Sequence, residues 1–436
     1  MAELGSYPAD RPVNPDRETS RGAGSDPGVS FQAVPTPLPS WTDPGPEPEG
    51  RPCPYRARAW WGDVLLADTT GAVRIDRPDA APLLCFPPAD VRVEHLPTVG
   101  DRAVGWTFAD PPPGAPGLRD HTVFDHEVVR VELVDTLPGD APGGENVKRF
   151  PTWGDAADLI DILDVRPDGD HRYTSVGRAD WRRPVVEGSQ MLGQALVATG
   201  RHAPGRRPVS AHMAFPRAAD ATRPLAIELG EVSAGRTFTT LSLDVSQGGR
   251  CCGTGTALLD VTAPDVIRHA PPPPDVPGPA ECEPYDMAVT GRDLRIVDGA
   301  YTGDPDAPTG PPTLDAWVRF RSVPDDPCLH AALLAQFTGH MSIAAGLRPH
   351  AGIGQDQAHR TLSTAINAIG ISFHREVRAD RWMLYRHRST FAGDGMTHAE
   401  CRVHDEAGEL LASFTVDAMV RAFAGAATGL DAKTAL

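Results

Sequence analysis

GSQMLGQALVATGRHA, residues 188–203, decides the fold. Met191, Leu192, Ala195, Leu196 and Ala198 share one apolar face at helical spacing, and Gly200 follows as a stop signal. The chain after it changes period. PVSAHMAFPR (208–217) and PLAIELGEVSAGRTFTTLSLDVSQGGRCCGTGTALLDVTA (224–263) read as strands, with VSAGR and SQGGR as hairpin turns. The same order returns further on. DPCLHAALLAQFTGHMSIAAGLRPHAG (326–352) is helical, and STAINAIGISFHREVR (363–378) and the run from Trp382 to Phe423 are strands. One chain thus holds two units, each a helix followed by an antiparallel meander.

Working outward gives the remaining boundaries. Residues 1–50 are rich in Pro, Gly and acidic side chains and bury too little apolar surface to offset ordering entropy, so a disordered tail is expected. Residues 51–150 alternate apolar and polar side chains, as in RARAWWGDVLLADT (56–69) and DHTVFDHEVVRVELVD (120–135), and form a small β-rich domain. The helix-and-meander units occupy 151–270 and 306–436, with a Pro-rich linker over 271–305.

The net charge of −17 argues against a nucleic-acid partner, which needs a basic footprint. No signal peptide is read at the N-terminus and no long apolar run occurs, so no membrane span and a cytoplasmic location are expected. The seven cysteines have no CxxC spacing and read as reduced, buried thiols, with one of Cys251 and Cys252 facing the core. His350, His359 and His374 lack metal-ligand spacing; neither a metal nor a cofactor is expected.

Across residues of about 170–425, GSQMLGQALVA, RPVSAHMAFPRAADATRPL, AGRTFTTLSLDVSQGGR, WVRFR, DDPCLHAALLAQF and ISFHREVRADRWMLYRH together resemble the acyl-CoA thioesterase II family. The resemblance implies an α+β double hot-dog: two central helices wrapped by antiparallel sheets around an acyl-thioester tunnel. It also implies edge-to-edge association into a homodimer or a higher assembly, and a CoA- or carrier-protein-linked substrate. Residues of about 55–135, through LADTTGAVRI, FPPADVRVE and GWTFADPPPGAPGLRDHTVF, resemble domain-of-unknown-function family 427, which implies no activity.

In the thioesterase family an Asp, a Thr and a Gln orient the attacking water. The resemblance places these positions at His340, Ile366 and Val416. Ile and Val cannot hold a water. Asn367 and Asp417 lie one residue away, but strand alternation turns them to the opposite face. His340, at the entrance of the second helix, therefore suggests other proton chemistry, because imidazole both takes and gives a proton near neutrality. Glu187 is its expected carboxylate partner and Gln190 its pseudo-symmetric counterpart. Gly339 and Ser342 complete the expected substrate contacts, with N–H groups near Gly188 or Gly339 available to polarise a carbonyl. Arg348, Arg360, Arg375, Arg378, Arg381, Arg386 and Arg388 are read either as phosphate forks or as ordinary paired surface charges. Three functions follow. The first is non-hydrolytic acid–base chemistry (dehydration, isomerisation or cyclisation) on an acyl-thioester or polyketide-like substrate. The others are hydrolysis at a rearranged water site and acyl binding without catalysis.

Overall fold

A computed structural model describes residues 50–422, except 54, 78–79, 93–97, 100–101, 109–110, 112–114, 127, 136–145, 153–155, 178–184, 322 and 359–360. The expected tail lies outside the described residues apart from residue 50, which begins a short strand, Gly50–Pro52.

The α+β double hot-dog is built on one sheet of thirteen strands. In chain order these are β1 (Val165–Pro167), β2 (Arg172–Ser175), β3 (Arg207–Ala214), β4 (Ala226–Ala234), β5 (Phe238–Gln247), β6 (Arg250–Asp260), β7 (Glu283–Pro284), β8 (Arg292–Ile296), β9 (Thr313–Phe320), β10 (Leu362–Phe373), β11 (Met383–Gly393), β12 (Met396–Asp405) and β13 (Leu410–Ala422). Their spatial order is β1-β2-β4-β5-β6-β3-β10-β13-β12-β11-β9-β8-β7. Read outward from the antiparallel β3–β10 seam, where Ala211 faces Ile371, the two halves follow the same order, with one extra edge strand, β7, in the second. The expected linker is therefore not a spacer throughout: Arg292–Ile296 is a wholly buried strand beside β9. Charged residues at 292, 293 and 295 hid it from an apolar pattern search.

Against the inner face lie α1 (Gly188–His202), α2 (Pro327–Phe337) and α3 (Ser342–Leu347). Helices α1 and α2 are antiparallel and pack closely because glycines stand where they cross. A Cβ on Gly193 would come within 3.0 Å of Ala332 O, and one on Gly200 within 2.3 Å of Cys328 Sγ. Gly200 is thus not a stop: the helix runs on to His202, and the missing side chain admits Cys328. Cys252 faces the core and Cys251 is exposed, as alternation requires; all seven cysteines are free thiols.

The β-rich domain has a five-stranded and a four-stranded sheet, closing over Ala57, Ala59, Leu66, Phe86, Phe124 and Val131. Its strand Asn146–Arg149 docks against the segment leading into β8, with Lys148 Nζ donating to Val289 O at 2.6 Å.

Candidate active site

Two chain reversals build the site. The first is the entry to α1. Val185–Val186 pairs with Ala219–Asp220 and delivers the chain to Glu187, the N-cap residue, with φ −69° and ψ 146°. Gly188 then presses against the Phe215 ring, where a Cβ would sit 2.7 Å from the nearest ring carbon. The Glu187 carboxylate makes no capping bond to the helix it precedes, so it is not the ordinary capping residue its position suggests.

The second reversal is the break between α2 and α3. The Thr338 hydroxyl donates to Ala335 O at 2.6 Å and the His340 N–H to Phe337 O at 3.0 Å, closing the last turn of α2. Met341 then takes a left-handed conformation, φ 67°, which costs a non-glycine residue about 1–2 kcal/mol. His340 is therefore not at the entrance of the second helix but beyond its C-terminal end, turned back against the start of α1. Its ring lies 4.8 Å from that of Phe337 at 49°. Its Nε2 is 3.9 Å from Glu187 Oε2; the His340 side chain is 1% exposed and the Glu187 side chain 20%. At that separation and an effective dielectric of about 20, the attraction of a charged pair is on the order of 4 kcal/mol before desolvation is subtracted.

Between the two reversals lies a residue that sequence reasoning passed over. Ser189 is buried, its hydroxyl has no hydrogen-bond partner among the described residues, and a Cβ on Gly339 would fall 2.4 Å from that oxygen. Only its place beside Glu187 in the EGSQ segment could have drawn attention to it.

The other expected residues are distributed differently. Gln190 reaches toward Ile162 O at 3.5 Å, and His340's counterpart across the two units is Arg201, reached by counting from each helix start. Ser342 belongs to a separate buried cluster: its Oγ is 3.1 Å from His387 Nδ1 and 3.9 Å from Cys401 Sγ. Burial pulls the His387 imidazole down to about 3 and pushes the Cys401 thiol up to about 12, so both stay neutral near pH 7. Val416 is buried in the apolar core and Ile366 packs against it. Asp417 is half exposed and pairs with His398 at 2.7 Å, as alternation predicts. Asn367 departs from alternation: it sits at a register shift between β10 and β13, a β-bulge, and its amide oxygen is buried. The described arginines follow the surface-charge reading where their contacts are known. Arg375, Arg378 and Arg386 pair with Glu409, Asp380 and Asp315. Arg348 bonds Thr313 O at 2.7 Å, and Arg360 lies outside the described residues. A groove over the seam, lined by His212, Arg386, Arg388 and Glu400 among others, lies on the outer sheet face and includes neither His340 nor Glu187.

The arrangement can move protons. An imidazole and a carboxylate from opposite units approach to 3.9 Å, with a buried hydroxyl at the N-terminus of α1 next to the carboxylate in the chain.

Comparison with known proteins follows the same halves. The model for the acyl-CoA thioesterase N-terminal domain matches residues 178–259, and that for the acyl-CoA thioesterase C-terminal domain matches 264–420. Acyl-coenzyme A thioesterase 8 of Mus musculus is 25% identical over 291 residues, spanning 60% of this chain and 88% of its own. The Homo sapiens protein of the same name is 25% identical over 259 residues, spanning 54% and 80%. The tesB protein of Mycobacterium avium subs paratuberculosis superposes with a TM-score of 0.52 at 21% identity, covering 61% of this chain and 99% of that one. A hot-dog protein of unknown function from Alicyclobacillus acidocaldarius gives 0.50 at 19%, covering 61% and 98%. The structural likenesses speak to the fold.

Proposed function

Starting from a chain that belongs to the acyl-CoA thioesterase II family, we propose that it acts on an acyl thioester by acid–base chemistry centred on His340 and Glu187. The single observation that carries this reading is the 3.9 Å approach of His340 Nε2 to Glu187 Oε2, with the imidazole buried. The substrate is a CoA- or carrier-protein-linked acyl or polyketide-like chain. The reaction is a dehydration, isomerisation or cyclisation rather than hydrolysis. Imidazole removes or returns a proton near neutrality, and the carboxylate holds or relays it. N–H groups at the start of α1 polarise the substrate carbonyl. The apolar surroundings of Ile366 and Val416 support this, since neither position can seat an attacking water.

Hydrolysis is the second reading, favoured by one observation. The buried Ser189 hydroxyl beside Gly339 is the kind of group that steadies a water, which His340 would then activate.

The test uses a panel of saturated, β-hydroxy and β-keto acyl thioesters, followed for thiol release and for changes in the acyl chain. Chain conversion without thiol release, lost at least 100-fold in His340→Gln, is the expected result. Thiol release as the only reaction selects hydrolysis. Full turnover in His340→Gln removes the imidazole from either chemistry, and binding without turnover leaves an acyl-binding protein.

A further inference from the structure

The β-rich domain is not simply tethered to the hot-dog pair; it is locked into it. The Tyr55 hydroxyl donates to Thr290 O at 2.6 Å, and the Arg149 N–H to Asp286 Oδ2 at 2.8 Å. Lys148 Nζ donates to Val289 O at 2.6 Å and to Arg292 O. Asp293, almost fully buried, gathers Lys148 at 3.7 Å, Arg319 at 3.3 Å and Arg321. Lys148, Thr290 and Arg292 are all buried, so the joint is packed rather than wet.

The residue whose carbonyl Lys148 holds leads directly to the site. The Arg292 guanidinium carbon stands 4.6 Å from the centre of the Phe337 ring, with Nη1 3.5 Å from Gln336 Oε1. Also against Phe337 is the His340 ring, 4.8 Å away. The contacts therefore run unbroken from Lys148 through the Arg292 backbone, its guanidinium and Phe337 to His340.

We propose that the β-rich domain is a positioning part of the candidate site, in which Lys148 fixes Arg292 and Arg292 sets both the placement and the protonation of His340. This rests on His340 being the working group. Two opposing charges are placed to act on the imidazole. Glu187, from the start of α1, favours its protonated form; Arg292, from β8, disfavours it. From β11, Tyr385 packs on Phe337 at 4.9 Å and stacks on His387 at 6.3 Å. Burial keeps the Tyr385 phenol well above its ordinary range and His387 down to about 3, so neither adds charge near pH 7. Laid end to end, the two Phe337 distances put the guanidinium within about 10 Å of the imidazole. At an effective dielectric of about 20 this moves the imidazole titration by about one pH unit.

The experiment is an NMR titration of the His340 ring in the full chain, its signal assigned by loss in His340→Gln. It needs no turnover, so it succeeds or fails separately from the acyl-thioester reading. Arg292→Gln is expected to raise the titration midpoint by about one pH unit and Arg292→Lys to bring it back. Lys148→Met is expected to move it part of the way. Tyr55→Phe removes a bond from the same joint without touching Arg292 and is expected to leave it in place. An unmoved midpoint in Arg292→Gln overturns the proposal. So does an equal shift in Tyr55→Phe and Lys148→Met, a pair that still decides the matter should Arg292→Gln fail to fold.

Discussion

Replacing Gly339 by alanine tests whether the break after α2 really seats against the start of α1. The added Cβ would stand 2.4 Å from Ser189 Oγ and 2.9 Å from Ser189 Cβ. Those distances are far inside van der Waals contact, and both atoms belong to a buried residue on the first turn of a helix packed along its length. Neither side can yield cheaply. Overpacking of this kind costs about 1–3 kcal/mol, which lowers the melting temperature of a unit this size by about 5 °C. Ser189→Gly removes both atoms that clash, at its own cost as a helix glycine of up to about 1 kcal/mol. In a double-mutant cycle that helix cost cancels and the contact remains. The double variant should therefore recover most of what Gly339→Ala loses, with a coupling of about 1–2 kcal/mol by calorimetry. Turnover should follow, because a displacement of a few tenths of an ångström between His340 and Glu187 weakens any shared proton transfer. Gly339→Ala with wild-type stability, or a coupling below about 0.5 kcal/mol, would refute the placement of the two reversals.

His387 titrates at about 3 in the folded chain against 6.5 for the free side chain. The unfolded state alone carries the proton between those values, so stability falls as pH drops through that window, by on the order of 5 kcal/mol. His387→Phe should flatten this part of an acid-unfolding series, and an unchanged slope would contradict it. Lys148 behaves in the opposite range, its ammonium held down to about 8 by burial against 10.5 when free. The unfolded chain binds the extra proton there, so the wild type should gain stability over Lys148→Met as pH rises from about 8 toward 10, by up to about 3 kcal/mol. A constant difference across that range would show that the ammonium is not desolvated. Finally, brief alkylation of the native chain followed by mass spectrometry should modify exposed Cys251 first. Buried Cys85 and Cys401, both pushed up to about 12, should react only after unfolding.

The fold was legible because its two signals are local. Apolar spacing in 188–203 and strand alternation with glycine turns at Gly248 and Gly249 survive in any context, and both glycines adopt positive φ. What escaped was decided by contacts distant in sequence. β8 looks like part of a linker because its buried charges are accommodated by distant groups that no local window contains: Asp293 pairs with Arg319, Arg321 and Lys148, Arg292 stacks on Phe337, and Arg295 donates to Cys282 O. Gly200 looks like a stop because its reason for being glycine is Cys328. The site divides the same way. The pairing of Glu187 with His340 could be anticipated from the resemblance and the residue types. The left-handed turn at Met341 that makes it geometrically possible has no residue-level signal, since methionine is not chosen for that conformation.

Departures from the near-symmetry of the two units explain why the Glu187–His340 pairing is not repeated at its symmetry mate. Counted from the first residue of each helix, Ser189 matches Cys328, Gly193 matches Ala332, and Gly200 matches Gly339. The close contacts obey the match: Gly339 lies on Ser189 as Gly200 lies on Cys328. Thr199 and Thr338 likewise bond equivalent carbonyls, of Leu196 and Ala335. Under this relation the mate of the Glu187–His340 pair is Asp326 with Arg201. There the chemistry is different. Asp326 has the shorter side chain and spends it on its own helix, accepting from the N–H groups of Cys328 and Leu329 at 2.8 and 3.2 Å. Arg201 turns outward and pairs with Asp164 at 2.5 Å, with 42% of its side chain exposed. One added methylene at the N-cap and an imidazole in place of a guanidinium thus separate the proposed proton-transfer pair from an ordinary capped helix. Glu187→Asp should shift the site toward its mate's behaviour. The shorter carboxylate is drawn back to cap α1, which raises helix stability by about 0.5–1 kcal/mol while His340 loses its partner and turnover falls. Undiminished turnover together with greater stability would show that the Glu187 carboxylate takes no part in the reaction.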